Sequence, residues 1–509
     1  MSLALAALAL AAQAPSFART ESLALEPGTR ARSAACADLD GDGAVELLLT
    51  VVAAGKTRLE TWKRSSTGTL TRTDVLALPA DVVAFAHGDV LDGGGEELIL
   101  FNAGGAFVWR SEAPPVLLAR AEFLWQSVDP DEVFDWSAGV RDLDRDGRAD
   151  IVLPEPAGLR VVLRRPGDGA DAPWGREFRL EIPRQPGVAG PWSPERGERE
   201  GVESRSENGS FSLGVRLQSG DERQDSRALV DVAEKLPAPN WIDWDADGDL
   251  DLLLQTERSV LVWLQQDGGF ARAPALTLPL PVAADESREL DASYDARTLD
   301  LDLDRRADYA VFASDKRSDD LRVQALFFTQ AKDVTPPLFG PAGIPAQLLV
   351  FNGLVQSVDL RDLDGDGAPE LIVQTLRPDL IDQLRNAASE SIDVELFVYR
   401  NRRGLLAKSP ELVRKQREPL GEGETSAQFV GDVDGDGLAE LLERDEPTHL
   451  ALYSLRAEGS GENARWKFRE RPSFELSVAK DAKLEFLGEG RRGWLLVFES
   501  AQVLCVRFE

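Results

Sequence analysis

A ten-residue pattern with acids at fixed places recurs along the chain. It reads DLDGDGAVEL from Asp38, DLDRDGRADI from Asp142, DWDADGDLDL from Asp243, DLDGDGAPEL from Asp362 and DVDGDGLAEL from Asp432. A sixth copy, DLDLDRRADY from Asp300, has Arg305 where the others have glycine. Carboxylates at positions 1, 3, 5 and 9 of a tight turn converge on one point, and hard oxygen donors in that number suit calcium. The glycine at position 6 permits the sharp bend, and the position 7 carbonyl can add a ligand. The candidate ligands are Asp38, Asp40, Asp42 and Glu46; Asp142, Asp144, Asp146 and Asp150; Asp243, Asp245, Asp247 and Asp251. The later copies add Asp300, Asp302, Asp304 and Asp308; Asp362, Asp364, Asp366 and Glu370; Asp432, Asp434, Asp436 and Glu440. An EF-hand is excluded, because position 12 is Leu49, Leu254 or Val373 inside a strand-like run rather than a glutamate before a helix. Magnesium keeps its waters and rarely takes an all-protein cage. Simple solvated turns would not need four converging acids. A glycosidase pair would be one constellation in one cleft, whereas these acids recur in each repeat. The expectation is five or six structural Ca2+ ions.

The elements around the loops repeat too. Before each loop comes a short run such as ARSAACA, PNWI or LVQSV, and after it a strand-like run such as LLLTVV, IVLP or LIVQ. A third run ends near an aromatic and often a cation, as at Trp62, Trp109, Trp263, Tyr399 and Tyr453. A glycine-bearing turn and a fourth run, such as REFRLEIP, close the unit. Four short strands per repeat describe a propeller blade, so the fold class is all-β, a β-propeller of four-stranded antiparallel blades. The strand-three aromatics then read as packing between blades. A seventh copy, DVLDGGGEEL from Asp89, keeps only its first and ninth acids, and FLGEGRRGWL from Phe486 keeps none in register. Counting both gives eight blades, with seven as the alternative. The last unit supplies three strands, and Glu21 to Glu26 can supply its fourth, pairing two edges that would otherwise stay open.

Two segments break the period. Residues 184–235 form an excursion between blades 3 and 4, or hide the outer strand of blade 3 at Ala228 to Val232. In residues 377–390 the spacing of Leu380, Ile381, Leu384 and Ala388 predicts a short helix between the second and third strands of blade 6. The loops and their setting resemble the FG-GAP/VCBS repeat family, which includes the calcium-bearing propeller of integrin alpha subunits. Phe429 to Gly437, FVGDVDGDG, is the nearest match, and the likeness runs over nearly all the chain after residue 20. The Gly-Ala-Pro element is missing after the loops, which is closer to bacterial VCBS-type repeats. The resemblance implies a propeller, structural calcium, and ligand binding at the rim opposite the metals.

Composition narrows the functional classes. The 509-residue chain has a net charge of −31, a field that repels nucleic-acid phosphates, and six calcium ions would offset +12 of it. Two cysteines, Cys36 and Cys505, exclude a disulfide scaffold or a Cys-rich metal site; they read as buried apolar residues or as one pair. Two histidines leave little for His-based catalysis. The run Leu3 to Ala12 reads as the core of a secretory signal (residues 1–18), with cleavage after Ala18 or Ala14, and no later run is long enough to span a membrane. Residues 19–509 are then one propeller domain, exported to the periplasm, the cell surface or the medium. GEGRRG at Gly488 fits a dinucleotide motif, but no helix follows; there is no P-loop, HExxH or nucleophile elbow. The reading is a monomeric, non-enzymatic adhesion or binding module for protein or glycan. The alternative is a polysaccharide lyase or hydrolase on a calcium-stabilised propeller.

Overall fold

In the computed structural model each acidic repeat turns the first strand of a sheet back on the second. The structure describes residues 18–508, apart from 66–67, 92, 103, 111–113, 121–132, 156–157, 165–174, 184–209, 219–228, 238, 257–258, 280–291, 316–321, 331–344, 353, 377–390, 420–426, 460–463 and 489–492. The helix expected at 377–390 and the signal segment up to residue 17 lie outside the described residues.

The described strands form eight antiparallel blades, an all-β β-propeller fold. Blade 1 runs Thr29–Ala37, Glu46–Ala53, Lys56–Arg64, Leu70–Ala77, and blade 2 Val82–Gly88, Glu97–Asn102, Gly105–Val108, Val116–Arg120. Blade 3 is Val140–Arg141, Asp150–Glu155, Gly158–Leu163, Arg176–Glu181, and blade 4 Asn240–Ile242, Asp251–Gln255, Ser259–Trp263, Leu276–Pro279. Blade 5 is Ala292–Leu299, Asp308–Asp315, Arg322–Phe328, Gln347–Asn352, and blade 6 Leu354–Arg361, Glu370–Leu376, Ser391–Tyr399, Leu412–Pro419. Blade 7 is Ala427–Phe429, Leu441–Glu446, His449–Tyr453, Phe474–Ser477. Blade 8 takes Lys483–Leu487, Trp494–Phe498 and Gln502–Phe508 from the end of the chain and Ala18–Ala24 from its start. That closing strand begins three residues earlier than the Glu21 expected from sequence. Ala18 already pairs with Phe508 and is buried, so a cut after Ala18 would remove the first position of the ladder.

The chain divides into two compact units. Gly28–Asp362 with Asp366–Arg417 holds blades 1 to 6; Met1–Pro27, Leu363–Gly365 and Glu418–Glu509 hold blades 7 and 8. Within each unit the core lies between successive blades. Leu143, Val152 and Leu163 of blade 3 pack with Leu252, Leu261 and Trp263 of blade 4, and Val433, Leu442 and Leu450 of blade 7 pack with Leu495, Val497 and Val506 of blade 8. Second strands are covered on both faces, which is why they read as continuous apolar runs rather than alternating ones: Leu47, Leu48, Leu49 and Val51 are all at most 1% exposed. The strand-three aromatics pack between blades, as where Tyr399 of blade 6 meets Phe351 of blade 5 edge to face, 5.5 Å between centroids.

Three departures from the repeat are visible. A two-residue strand, Phe134–Asp135, runs parallel to Val82–Gly88 and makes the second sheet five-stranded. It leads into a single 3-10 turn where Trp136, 1% exposed, donates from Nε1 to the Val152 carbonyl at 2.8 Å. Between blades 3 and 4, Ser210–Gln218 and Leu229–Pro237 pair only with each other, and the outer strand of blade 3 is Arg176–Glu181. In blade 7 a second hairpin, Leu455–Glu458 with Arg465–Phe468, lies between the third and fourth strands. Sequence periodicity gave no sign of it. It leaves from the same end of its blade as the acidic loop, so long connections are not confined to the opposite ends.

Leu23, 3% exposed, faces the core of the closing strand. Leu23→Ala should lower the unfolding free energy by about 2–4 kcal/mol, measured by urea denaturation, with little change in folded-state circular dichroism.

Candidate metal centres

Each acidic loop is wound by its own carboxylates in the same way. The position 1 aspartate accepts from the backbone N–H of position 6: Asp38 from Gly43 at 2.9 Å, Asp142 from Gly147 at 3.0 Å, Asp243 from Gly248 at 3.1 Å, Asp300 from Arg305 at 2.8 Å, Asp362 from Gly367 at 2.9 Å and Asp432 from Gly437 at 3.1 Å. The position 5 aspartate accepts from the N–H of position 7, as Asp146 does from Arg148 at 2.9 Å and Asp366 from Ala368 at 2.8 Å. Position 3 accepts from the N–H of position 5, as where Asp434 binds Asp436 at 3.1 Å.

This winding puts two residues, at positions 4 and 6, into left-handed backbone. Position 6 is the glycine expected from sequence, with Arg305 as the exception at φ 68°. Position 4 was not foreseen. It is Gly41, Gly365 or Gly435 in three loops, but Arg145, Ala246 and Leu303, at φ 58°, 62° and 60°, in the other three. A side chain there costs about 1 kcal/mol or more, so the blade 5 loop, with Leu303 and Arg305, holds the strained form twice.

The ninth acid plays a part that spacing alone did not reveal. Asp150, Asp251, Glu370 and Glu440 are all 0% exposed and Asp308 is 1% exposed. One oxygen accepts the N–H of loop position 2: Glu46 from Leu39 at 2.8 Å, Asp150 from Leu143 at 2.8 Å, Asp251 from Trp244 at 2.7 Å, Asp308 from Leu301 at 2.9 Å and Glu440 from Val433 at 2.7 Å. In four blades the other oxygen accepts an N–H just past the third strand: Arg164 at 2.7 Å, Gln265 at 2.8 Å, Gln330 at 2.9 Å and Asn401 at 3.3 Å. The ninth carboxylate thus ties the loop to two strands. In the reduced loop of blade 2, Glu97 still accepts from Val90 at 2.8 Å and Leu91 at 2.9 Å, so the tie survives without acids at positions 3 and 5.

Burial sets the charge of these groups. Desolvation, only partly opposed by the backbone donors, pushes the carboxyls of Asp150 and Glu440 up to about 8 and those of Asp251 and Asp308 up to about 7. Desolvation also raises Asp146, Asp243, Asp245 and Asp436. In blade 1 desolvation raises Glu46 in the same way, while a hydrogen bond from Lys63 holds Asp42 below the usual range.

In five loops three of the four acids expected as ligands come together. Oxygens from Asp38, Asp40 and Asp42, from Asp300, Asp302 and Asp304, and from Asp362, Asp364 and Asp366 lie within 4.8 Å of one another in each set. In blades 3 and 4 the sets are Asp142, Asp144 and Asp150, and Asp243, Asp245 and Asp251, which bring in the ninth acid. Several buried oxygens in the loops accept no hydrogen bond, among them Asp38 Oδ1, Asp146 Oδ2, Asp243 Oδ1 and Glu440 Oε1. An all-oxygen donor set with unfilled buried acceptors fits a hard cation such as calcium. Cationic side chains also reach loops, Arg469 Nη2 lying 3.9 Å from Asp436 Oδ2 in blade 7. Lys63 reaches the blade 1 acids, and Arg148 of the blade 3 loop donates to Asp89 Oδ1 at 2.5 Å and the Leu91 carbonyl at 2.7 Å.

No family model and no curated protein matches this chain. Among solved structures it is similar to a chain of the Photorhabdus luminescens Tc holotoxin pore, at 14% identity and a TM-score of 0.23. The match covers 88% of this chain and 18% of that one, and a likeness at that score carries no argument about fold or function. Cys36 and Cys505 form no disulfide. Among the described residues no helix is long and apolar enough to cross a membrane.

The raised carboxyls set the sign of a pH effect in metal-free protein. The folded state keeps protons that the unfolded chain releases above about pH 4–5, so this stabilisation is full below that range and is lost as pH rises through 7 to 8. After chelation and desalting, the unfolding free energy should fall by about 2 kcal/mol or more between pH 5 and pH 8 in urea titrations. Saturating calcium should abolish the fall.

Proposed function

We propose that this chain is an exported, calcium-braced β-propeller of the FG-GAP/VCBS type that acts as a non-enzymatic binding module for protein or glycan. The observation that carries the metal reading is the shared frame of the six loops. Position 1 closes each loop onto position 6, and in five of them the ninth carboxylate is seen to bind position 2. That frame directs the remaining carboxylate oxygens at one point, where Coulomb repulsion is relieved by a divalent cation. Asp or Glu at positions 1, 3, 5 and 9 would hold the ion, which supplies charge neutralisation and cross-linking of the turn. The same acids are committed to backbone N–H groups in blade after blade, which suits bracing better than acid–base chemistry at one centre.

The binding reading rests on where the repeat is extended away from the metals. The hairpin Ser210–Gln218 and Leu229–Pro237 stems from the link between the fourth strand of blade 3 and the first strand of blade 4. Such links leave from the blade ends opposite the acidic loops. The second strand of blade 6, Glu370–Leu376, ends and the third, Ser391–Tyr399, begins at that same end of their blade. Extensions beyond a minimal turn are where scaffolds carry recognition. Export follows from the apolar start, with calcium plentiful outside the cell.

Chelation should lower the melting temperature strongly. At free calcium tenfold above the dissociation constant each site contributes about 1.4 kcal/mol, so five or six sum to several kcal/mol against a typical total of about 5–15. Asp364→Ala should remove about one site's share. An unchanged melting curve in chelator rejects the calcium reading. For the ligand, glycan-array and pull-down binding should be lost when 205–238 is replaced by a short Gly-Ser link, with the melting temperature kept. Loss of binding only with Asp146→Ala or Asp366→Ala in folded protein would move the site to the metal loops, and cleavage of a polysaccharide would make it an enzyme.

A further inference from the structure

The blade 1 loop has the same winding and the same acids as the others, yet it alone among the described loops has a lysine at its centre. Lys63 Nζ binds Asp40 Oδ2, lies 2.8 Å from Asp42 Oδ2 and lies 3.5 Å from Glu46 Oε1. Glu46 is 3% exposed, and no hydrogen bond reaches its Oε1, which faces the ammonium. An acid from positions 3, 5 and 9 thus meets one amine, the arrangement that a metal ion would otherwise take.

The reach of Lys63 follows from register. Trp62 pairs with Leu47, the residue after the ninth acid, and Lys63 is the next residue along. The matching pairs are Val162 with Ile151, Trp263 with Leu252 and Tyr453 with Leu441. In blades 5 and 6 the same register pairs Phe328 with Tyr309 and Tyr399 with Leu371. The residues that follow are Leu163, Leu264, Thr329, Arg400 and Ser454 in blades 3 to 7. Leu163 and Leu264, 2% and 8% exposed, carry no charge and no donor. Ser454 donates from Oγ to Asp434 Oδ2 at 3.0 Å, so this position does look onto the position 3 acid of its loop. The residue after the strand-three aromatic therefore decides what the loop's carboxylates meet.

We infer that Lys63 is a built-in counter-ion that lowers the calcium affinity of the blade 1 loop, so that it fills after the leucine-backed loops of blades 3 and 4. This rests on the calcium reading above. A divalent ion entering the blade 1 loop must displace the ammonium from three carboxylates. Three partly exposed ion pairs correspond to an affinity lower by on the order of tenfold.

Native mass spectrometry of the full chain across buffered free calcium tests this, with wild type, Lys63→Met and Lys63→Arg. In wild type at least one ion should add at about tenfold higher free calcium than the main group, and Lys63→Met should reduce the late ions by one. Lys63→Arg, which keeps a cation, should not. If Lys63→Met titrates as wild type while both load the other ions, the inference is wrong and the calcium reading stands; if no variant binds calcium, both fall. Thermal melts guard against a folding defect. Lys63→Met should melt lower than wild type in chelator and recover with calcium, whereas an equal loss with and without calcium makes Lys63 a packing residue and overturns the proposal.

Discussion

A carboxylate buried at the foot of each acidic loop is the constraint on which the rest depends. Asp150, Asp251, Asp308 and Glu440 have lost nearly all water and hold backbone N–H groups instead. An ionised carboxylate in such a place needs donors and positive charge, or it takes a proton. For Asp150, Asp251 and Asp308 the donors are supplied from the loop and from beyond the third strand, so the acid joins three segments of one blade. What remains to be supplied is charge. On the calcium proposal a divalent ion would supply it in the loops of blades 3 to 7; Lys63 supplies a positive charge in blade 1, and the reduced loop of blade 2 takes a guanidinium from Arg148.

The loops are also linked to one another within a unit. The N–H of position 8 donates to the preceding loop: Glu96 to the Asp38 carbonyl at 2.7 Å, Ala149 to Asp89 at 2.9 Å and Ala439 to Leu363 at 2.8 Å. Gln330 Nε2 reaches the Trp244 carbonyl at 2.8 Å, and Asn401 Nδ2 reaches that of Leu301 at 2.9 Å. Neighbouring blades therefore meet through apolar cores between their sheets and through hydrogen bonds between their loops. On the calcium proposal, an ion that stiffened one loop would also stabilise its hydrogen bonds to the next.

Much of this was legible in the sequence because the repeat states its own geometry. Acids at alternate positions announced the converging carboxylates, and the spacing of strand-like runs announced four strands per blade. The short last repeat, with an apolar stretch left over at the start of the chain, announced the closing strand. The ninth acid read as one more ligand, because spacing carries no information on burial or on the N–H groups of Gln265 or Gln330, which come from elsewhere in the chain. Left-handed backbone at position 4 was hidden by Arg145, Ala246 and Leu303, which do not look like turn residues. Lys63 and Arg148 were hidden because their partners lie across a strand pair or in another blade; the only hint was the cation that often follows the strand-three aromatic. The hairpin of blade 7 was missed because its strands are only four residues each, too short to show a period.

The most direct test of a metal-centred account is to locate the ions. Crystals grown with calcium, measured at a long wavelength where calcium scatters anomalously, should show a peak inside the loops of blades 3, 4, 5, 6 and 7. Each should be ringed by carboxylate oxygens from positions 1, 3, 5 and 9 at about 2.3–2.6 Å. Loops with the same winding but no anomalous peak, in protein whose stability is indifferent to calcium, would contradict it.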